Sequence, residues 1–297
     1  FIDTVGANGT GILITPSDGS FNSASENGYS YIPLITVNAL SNGNHTISIH
    51  ARDAVGNWGP FTTATLTIDR TPPTVGIPTL TPSASNNTAV AISATANDTA
   101  TGNSNIGGGE YFIDTAGAAG TGAAMTATAA LPNTTITANI PAAAIGALTT
   151  GNHTIYVRAK DAAGNWSTTT SATLLIDRTA PTFTGISISP NSISVGTPSV
   201  TLTVNGASDA GGSGVAGGEY WFGSTDITAG TGTAFTGTSG ISVATGSLTP
   251  GTYTLRVRIR DGAGNWSTGT GGVRTTTLTV TVVGPAIPSL TTLDSFT

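Results

Sequence analysis

The sequence predicts an all-β protein built from β-sandwiches that follow one another along the chain. Thr, Val and Ile fill the segments between frequent Gly, Asn and Pro residues, which is typical of many short strands joined by turns. Within these segments apolar and polar residues alternate, so each strand has one buried and one solvated face, as in an antiparallel sheet. Whole phrases also return after about 100 residues, a spacing too long for a solenoid, whose repeats span about 20–50 residues.

A seven-residue phrase marks the repeated unit. It reads RDAVGNW at 52–58, KDAAGNW at 160–166 and RDGAGNW at 260–266, and its Asp residues lie 108 and 100 positions apart. Other phrases recur at a similar spacing. They are FIDT at 1–4 and 112–115, GNHTI at 43–47 and 151–155 with GTYTL at 251–255, and IDRT at 68–71 and 176–179.

Each unit presents its strands in the same order. An alternating segment comes first, at 88–98 and 199–209, and a Gly-Gly-Glu-Tyr segment follows it. The strand after GNHT or GTYT is next, and a last alternating strand ends in IDRT in the first two units. The apolar residues predicted to face the core are Ile47, Ile49, Ala51, Leu66 and Ile68; Val90, Ile92, Ala94, Ile155, Val157, Ala159, Leu174 and Ile176; and Val200, Leu202, Val204, Leu255, Val257, Ile259, Leu278, Val280 and Val282.

About seven strands in roughly 100 residues fit an immunoglobulin-like sandwich. In the strand letters of that fold, the first alternating segment is strand B, the Glu-Tyr strand is C, the GNHT strand is F and the last strand is G. We predict tandem seven-stranded immunoglobulin-like β-sandwiches joined head to tail. Domain 1 spans 1–71 and lacks strands A and B, which leaves apolar surface and unpaired edges. Two explanations are open: the chain is a segment of a longer protein whose upstream strands are absent here, or a neighbouring subunit supplies the missing strand. Domain 2 spans 72–179, domain 3 spans 180–283, and 284–297 is a linker, a donor strand or the start of a further domain.

The phrases D-x-A/V-G-N-W, I-D-R-T-x-P-T and GG-EY-F/W resemble those of the bacterial immunoglobulin-like repeats found in tandem in large secreted and surface proteins. The resemblance covers most of the chain. It implies modules that serve mostly as spacers and adhesive stalks, and an extracellular or cell-surface location.

Composition and motifs argue against several function classes. The net charge is −6 and Lys160 is the only lysine, so no basic cluster is present to bind nucleic acid or an anionic membrane. The chain has no cysteine for disulfides or thiolate metal sites, and no apolar run long enough to span a bilayer. No Ser–His–Asp set, H-E-x-x-H, P-loop or dinucleotide-binding fingerprint is recognisable, so we predict that the chain is not an enzyme.

Two sets of repeated rings have structural explanations. His45, His153 and Tyr253 hold the tyrosine-corner position near the start of strand F, and we expect each ring to hydrogen-bond locally. One tryptophan follows each of the three heptad turns and is predicted to pack over the edge of its sandwich; these are Trp58, Trp166 and Trp266.

The acidic residues are predicted to meet at the joints between domains. In this fold the BC and FG loops share one end and strand G finishes at the other, so each linker should land beside the BC and FG loops of the next domain. Calcium binds six to eight oxygen ligands, which leads to the hypothesis that calcium stiffens each joint. The simpler alternative is that D-x-x-G-N only makes a stable turn. The candidate ligands are Asp69, Asp98 and Asp161 at the first joint, Asp177, Asp209 and Asp261 at the second, and Glu110 and Glu219 near the same ends.

The predicted function is therefore that of an extracellular structural protein, a rigid stalk or spacer in a surface adhesin or fibre, whose partners are neighbouring domains or copies of itself. One alternative is a filament subunit assembled by strand complementation. Another is a set of accessory modules of a secreted enzyme that bind a cell-surface glycan or protein. For that alternative the candidates are Tyr220 and Trp221, with Arg256, Arg258 and Arg260 as contacts to an acidic glycan or, more simply, as a solvated outer face.

Overall fold

A computed structural model describes residues 1–282, and it confirms the all-β prediction. Two one-turn helices, α1 (Leu34–Ala39) and α2 (Ala142–Ala147), precede strand F of the first two repeats. No helix within residues 1–282 combines the length and the apolar character that crossing a bilayer requires. The strands are β1 (Thr15–Pro16), β2 (Gly28–Tyr29), β3 (Gly43–Ile49), β4 (Thr62–Ile68), β5 (Thr74–Val75), β6 (Thr79–Thr81), β7 (Ala84–Ser85), β8 (Val90–Asn97), β9 (Ile106–Ile113), β10 (Ala123–Ala127), β11 (Asn133–Ile140), β12 (Gly151–Asp161), β13 (Thr170–Ile176), β14 (Gly185–Ser189), β15 (Ser192–Ser194), β16 (Ser199–Asn205), β17 (Val215–Phe222), β18 (Thr233–Thr236), β19 (Ile241–Ala244), β20 (Gly251–Asp261) and β21 (Arg274–Thr281).

The third repeat shows the sandwich most simply. One sheet has the order β14-β16-β19 and the other β15-β21-β20-β17-β18. The short strand β15 runs parallel to β21, whereas the other neighbours are antiparallel. The predicted inward residues of β16, β20 and β21 form one buried core with residues such as Phe183 and Ile193. The sandwich predicted from the alternating pattern is therefore confirmed.

The second repeat contains the same strands, linked into one folded sheet of order β5-β8-β11-β10-β9-β12-β13-β7, with β6 beside β8. Strand β10 joins its two layers, because Ala123–Met125 pair with β9 and Thr126 and Ala127 pair with β11. All the side chains predicted to face inward from β8, β12 and β13 are buried.

The first repeat corrects part of the core prediction. Strands β3 and β4 form a two-stranded sheet, and within residues 1–282 no strand corresponding to β8 or β16 covers it. As a result Ile49 is 45% exposed and Ala51 is exposed, although the pattern places both in a core. The prediction for Val282 is also wrong, since β21 ends at Thr281 and Val282 is exposed.

Contacts divide the chain into two compact units, each of which holds one predicted joint. The first unit comprises Phe1–Thr79, Ile92–Ala138 and Ile155–Ala172. The second comprises Leu80–Ala91, Asn139–Thr154 and the described residues from Thr173 onward. The division into three domains stays a prediction, and the segment 284–297 lies outside the described residues.

Candidate functional site

The repeated heptad forms the same turn in all three copies. Its Asp accepts one hydrogen bond from the backbone N–H of the Asn four residues later and a second from the side-chain amide of that Asn, which makes the turn self-capping. The glycine before the Asn has a φ near 100°, in the left-handed region that favours glycine. The distances from the backbone N and from Nδ2 are 2.7 and 2.9 Å for Asp53–Asn57, 2.8 and 2.9 Å for Asp161–Asn165, and 2.8 and 2.7 Å for Asp261–Asn265.

In the second and third copies the asparagine also reaches the linker. Asn165 Nδ2 donates to the main-chain carbonyl of Asp69 at 3.2 Å, and Asn265 Nδ2 donates to that of Asp177 at 2.9 Å. The heptad therefore does more than close a hairpin, because the amide that caps the turn also ties the turn to the incoming chain.

The linker arginine forms hydrogen bonds with the repeat that precedes the linker. Arg70 donates to the carbonyls of Leu40 and Val37 at 2.9 and 2.8 Å, at the end of α1. Arg178 does the same at the end of α2, to Leu148 at 2.9 Å and Ile145 at 3.0 Å. The last carbonyls of a helix lack partners within the helix, so a guanidinium satisfies them well.

The linker aspartate binds a serine of the next BC loop. Asp69 Oδ2 accepts from Ser104 Oγ at 2.5 Å, and Asp177 Oδ2 accepts from both the backbone N and Oγ of Ser213 at 2.7 Å. The sequence prediction missed both serines. The signal for them was present, because each serine lies six residues before the Glu of Gly-Gly-Glu-Tyr.

The structure brings together the two predicted trios of aspartates. Within each trio carboxylate oxygens lie within 4.8 Å of one another. Asp69 and Asp209 are partly buried and the other four are buried. Across residues 1–282 no Lys or Arg forms an ion pair with any of the six, so each joint concentrates carboxylates without a neutralising side chain.

Asp209 shows this imbalance most directly. Its Oδ1 is buried and, in the described part of the chain, accepts no hydrogen bond, whereas Oδ2 accepts from the backbone N of Gly214 at 2.8 Å. Burial raises the pKa of Asp209, and the charges of Asp177 and Asp261 add to that rise. Burial also acts on Asp177, but hydrogen bonds from Thr179 and Ser213 outweigh it and lower the pKa of that carboxyl.

The donor set fits a hard cation such as calcium. Each joint offers carboxylate oxygens from three separate segments, and calcium accepts such ligands together with carbonyls and water. A glycine packs closely against the second trio, since a Cβ on Gly212 would lie 2.5 Å from Asp209 Oδ1 and 2.7 Å from Asp177 Oδ2. Gly102 similarly packs against the carboxylate of Asp69 at the first joint.

Glu110 and Glu219 do not belong to these trios, which corrects their predicted position. They lie in the middle of strand C, because β9 and β17 begin four residues before them. Glu110 accepts from Arg158 Nε at 2.5 Å, and Glu219 Oε1 lies 3.3 Å from Arg258 Nε, in each case opposite the arginine on strand F. Burial raises the pKa of Glu110, but hydrogen bonds from Gly120, Gly122 and Arg158 outweigh it and hold that pKa below its usual value.

Most of the residues considered for glycan binding are buried and cannot contact a glycan. Tyr220 and Trp221 are buried, and Trp221 Nε1 donates to the carbonyl of Thr225 at 3.0 Å. Arg258 is also buried, with its guanidinium 4.9 Å from the centre of the Trp221 ring, so the prediction of a solvated arginine face is wrong at this position. Arg260 is exposed and lies over Trp266.

The corner residues behave as predicted. His45 Nε2 lies 2.8 Å from the carbonyl of Ser41 and His153 Nε2 lies 2.9 Å from that of Thr149. The hydroxyl of Tyr253 donates to the carbonyl of Thr249 at 2.9 Å. The heptad tryptophans Trp58, Trp166 and Trp266 are half-buried and each packs beneath a basic side chain, in keeping with their predicted packing role.

Residues 30–106 match the family model described as "Bacterial Ig-like domain (group 3)", which confirms the resemblance drawn from the repeated phrases. The chain is 36% identical to endoglucanase B of Cellulomonas fimi over 169 residues, or 54% of this chain and 15% of that protein. It is 31% identical to exoglucanase B of the same organism over 243 residues, or 79% of this chain and 20% of that protein. The chain thus spans a fifth or less of the curated relatives that it matches.

Two solved structures align with the chain at low sequence identity. The fibronectin(III)-like modules of Clostridium thermocellum CbhA align with 14% identity and a TM-score of 0.36, covering 70% of this chain and 94% of that one. A tetra-tandem repeat from the extending region of a large adhesion protein aligns with 18% identity and a TM-score of 0.32, covering 90% and 66%. Ig-like modules of this fold are typical of non-catalytic parts of proteins, and the family match favours an extracellular or cell-surface structural or accessory role.

Proposed function

We propose that this chain is an extracellular spacer, a run of Ig-like sandwiches whose joints are made stiff and are completed by calcium. The observation that carries the proposal is the double attachment of each linker. At both joints the arginine of IDRT binds the helix behind it, while the aspartate and its carbonyl bind loops of the repeat ahead.

A linker held in this way resists bending. Domains joined by a free linker move relative to each other by default, unless an interface opposes the motion. Four consecutive linker residues each make a different contact. Ile68 is buried, and Asp69 accepts a hydrogen bond from Ser104 of the next repeat. Arg70 donates to Leu40 of the preceding repeat, and Thr71 N donates to Asp69 Oδ1 at 3.0 Å. Rotation about this segment would break several of these hydrogen bonds together, which is the property a stalk or spacer needs.

Calcium supplies the charge that the joints lack. Three carboxylates at close range repel one another, and at the second joint burial together with the charges of Asp177 and Asp261 raises the pKa of Asp209. A divalent cation offsets that repulsion and gives the unpaired Asp209 Oδ1 a partner. Extracellular calcium modules bind at about 10⁻⁴–10⁻³ M, so calcium outside a cell suffices to fill such sites.

The test is calcium-dependent stability of the full chain. We expect millimolar calcium, compared with EDTA, to raise the unfolding temperature and to slow amide exchange at 68–76 and 176–182. The variant Asp209→Asn should lose the response at the second joint. Asp53→Asn is the matched control, since Asp53 caps the same turn but belongs to neither trio. Identical unfolding and exchange in calcium and in EDTA would leave the heptad as a turn only and remove calcium from the proposal.

A second candidate role is favoured by the similarity to the two Cellulomonas fimi glucanases. In this role the same spacer separates modules of a secreted polysaccharide-degrading enzyme. The chain itself should not bind the polysaccharide, because Tyr220 and Trp221 are buried. Retention of the isolated chain on cellulose would contradict this and restore the glycan-binding alternative.

A further inference from the structure

The corner histidine of the first repeat faces an oxygen acceptor with each of its two ring nitrogens. His45 Nε2 lies 2.8 Å from the carbonyl oxygen of Ser41, and His45 Nδ1 lies 2.7 Å from Asp3 Oδ2. A carbonyl oxygen only accepts hydrogen bonds, so Nε2 carries a proton. An ionised carboxylate also only accepts, so Nδ1 carries a proton as well. The ring that satisfies both contacts is therefore the charged imidazolium.

The backbone holds Asp3 in position for this contact. Its φ of 58° lies in the left-handed region, which is uncommon outside glycine but in which aspartate and asparagine are enriched. The N–H of Asp3 donates to the carbonyl of Thr46 at 2.8 Å, and Asp3 Oδ1 accepts from Thr46 N at 2.9 Å. The segment before β1 is thus attached to β3 at Asp3, and the second carboxylate oxygen remains for the histidine.

The same pair of residues recurs in the second repeat and is replaced jointly in the third. Asp114 has a φ of 64°, and His153 Nε2 lies 2.9 Å from the carbonyl of Thr149. In the third repeat Gly223 stands at the position of the aspartate and Tyr253 at that of the histidine. The Tyr253 hydroxyl donates to a carbonyl four residues earlier without carrying a charge, so it needs no carboxylate beside it. The joint replacement links the aspartate to the histidine.

Two charged groups act on the buried ring of His45. The hydrogen bond to Asp3 raises the pKa of His45, and the hydrogen bond to the carbonyl of Ser41 adds to that rise. Burial of the ring and the positive charge of Arg70, which binds the end of α1, oppose it. In return, the hydrogen bond from His45 holds the pKa of Asp3 below its usual value. The pair therefore favours the charged form of both members.

We propose that His45 and Asp3 form a pH-dependent latch, a charged hydrogen bond that fastens the segment before β1 to β3 in mildly acidic and neutral solution and opens in alkaline solution. When the ring loses one proton, it keeps the proton on Nε2, which faces the Ser41 carbonyl. The contact that opens is then the contact with Asp3, because a bare Nδ1 and a carboxylate are both acceptors.

The two members of the latch set opposite limits on its pH range. His45, whose pKa is raised on folding, contributes stability that is complete below about pH 6.5 and is lost as the pH rises through the folded value. Asp3, whose pKa is lowered on folding, contributes stability that is complete above about pH 4 and is lost as the pH falls. The latch is therefore fully closed between these limits.

Ring ¹⁵N NMR of the full chain tests the charge on the histidine, because the chain has only three histidines to assign. We expect His45 to keep both ring protons above pH 6.5 and to lose one of them at a lower pH in Asp3→Asn, a variant that keeps the left-handed backbone. Asp18→Asn, a change at an exposed aspartate between β1 and β2, is the control and should leave this titration unchanged. The proposal is overturned if His45 titrates at or below about pH 6.5, or titrates alike in the original chain and in Asp3→Asn.

Amide exchange tests whether loss of the charge opens the contact. The reporters are the amides of residue 3 and Ser48, which donate to the carbonyls of Thr46 and Phe1. Their protection, corrected for the intrinsic pH dependence of exchange, should fall from neutral to alkaline pH in the original chain. The double variant Asp3→Gly, His45→Tyr copies the pair of the third repeat and should show no such fall. An equal fall in both proteins, or no fall in the original chain, would contradict the latch.

Discussion

The asparagine of the heptad shows how one side chain serves two segments. Asn57, Asn165 and Asn265 all donate to the aspartate of their own turn, but within the described residues only Asn165 and Asn265 also donate to a linker carbonyl. The turn needs only the first contact. The second contact gives a reason for the asparagine in addition to its ability to form a tight turn.

This difference predicts unequal effects of the same substitution. Asn165→Ala removes the turn contact and the hydrogen bond to the carbonyl of Asp69, whereas Asn57→Ala removes only the turn contact. We expect the first to cost about 1 kcal/mol more, the usual net contribution of one hydrogen bond. Amide hydrogen exchange at residues 69–76 measures this difference in free energy. Equal exchange in the two variants would show that the hydrogen bond to the linker carbonyl contributes nothing.

The sequence predicted the six aspartates of the joints but not the residues that support them. The aspartates recur at fixed offsets from the loops that the fold places at one end, so topology sufficed. Ser104 and Gly102 were missed because serine and glycine are abundant here, and their role depends on distances of a few ångströms. Glu110 was misplaced because its strand begins at Ile106, within a run of glycines that reads as a loop.

At the scale of a strand, the alternating pattern predicts orientation but does not predict burial. Strand F carries the same pattern in each repeat, yet its inward face is covered only where a B strand opposes it. Orientation is a local property of the extended chain. Burial requires a second layer that covers the first. Ile49 and Ala51 follow the alternating pattern but are exposed, because no opposing strand covers them within the described residues.

A matched pair of substitutions tests this distinction. Ile155→Ala should cost about 2–5 kcal/mol, because the side chain is fully buried and its removal leaves a cavity. Ile47→Ala, at the equivalent position of β3, should cost less than about half as much, because that side chain is partly exposed. Amide hydrogen exchange in β12 and in β3 during urea unfolding reports the stability of each strand separately. Equal losses of unfolding free energy in the two variants would mean that the two strands are equally buried.

For the whole molecule, stability is predicted to depend jointly on pH and calcium. A carboxyl whose pKa is raised on folding contributes stability below its unfolded pKa and loses it as the pH rises through the folded value. This applies to Asp209, so the second joint without calcium should weaken as the pH rises from about 4 towards neutrality. Asp177 has the opposite sign and loses its contribution as the pH falls below about 4.

Calcium competes with protons for the same oxygens, so its stabilising effect should be larger near pH 7 than near pH 4.5. Thermal unfolding in calcium and in EDTA at the two pH values measures the difference. Asp209→Asn should flatten the pH dependence in EDTA. A calcium effect of the same size at both pH values would place the bound ion somewhere other than these carboxylates.

The linker hydrogen bonds also bear on how such a chain can change in length. Each IDRT segment itself supplies the hydrogen bonds to the helix of the preceding repeat and to the loops of the next one. A complete repeat can therefore be added or removed, and the repeats that become neighbours can form the same hydrogen bonds. A single inserted residue inside the segment would instead turn the aspartate and the arginine to the wrong sides, since neighbouring extended residues point in opposite directions. The architecture is thus permissive to changes of about 100 residues and intolerant of a change of one.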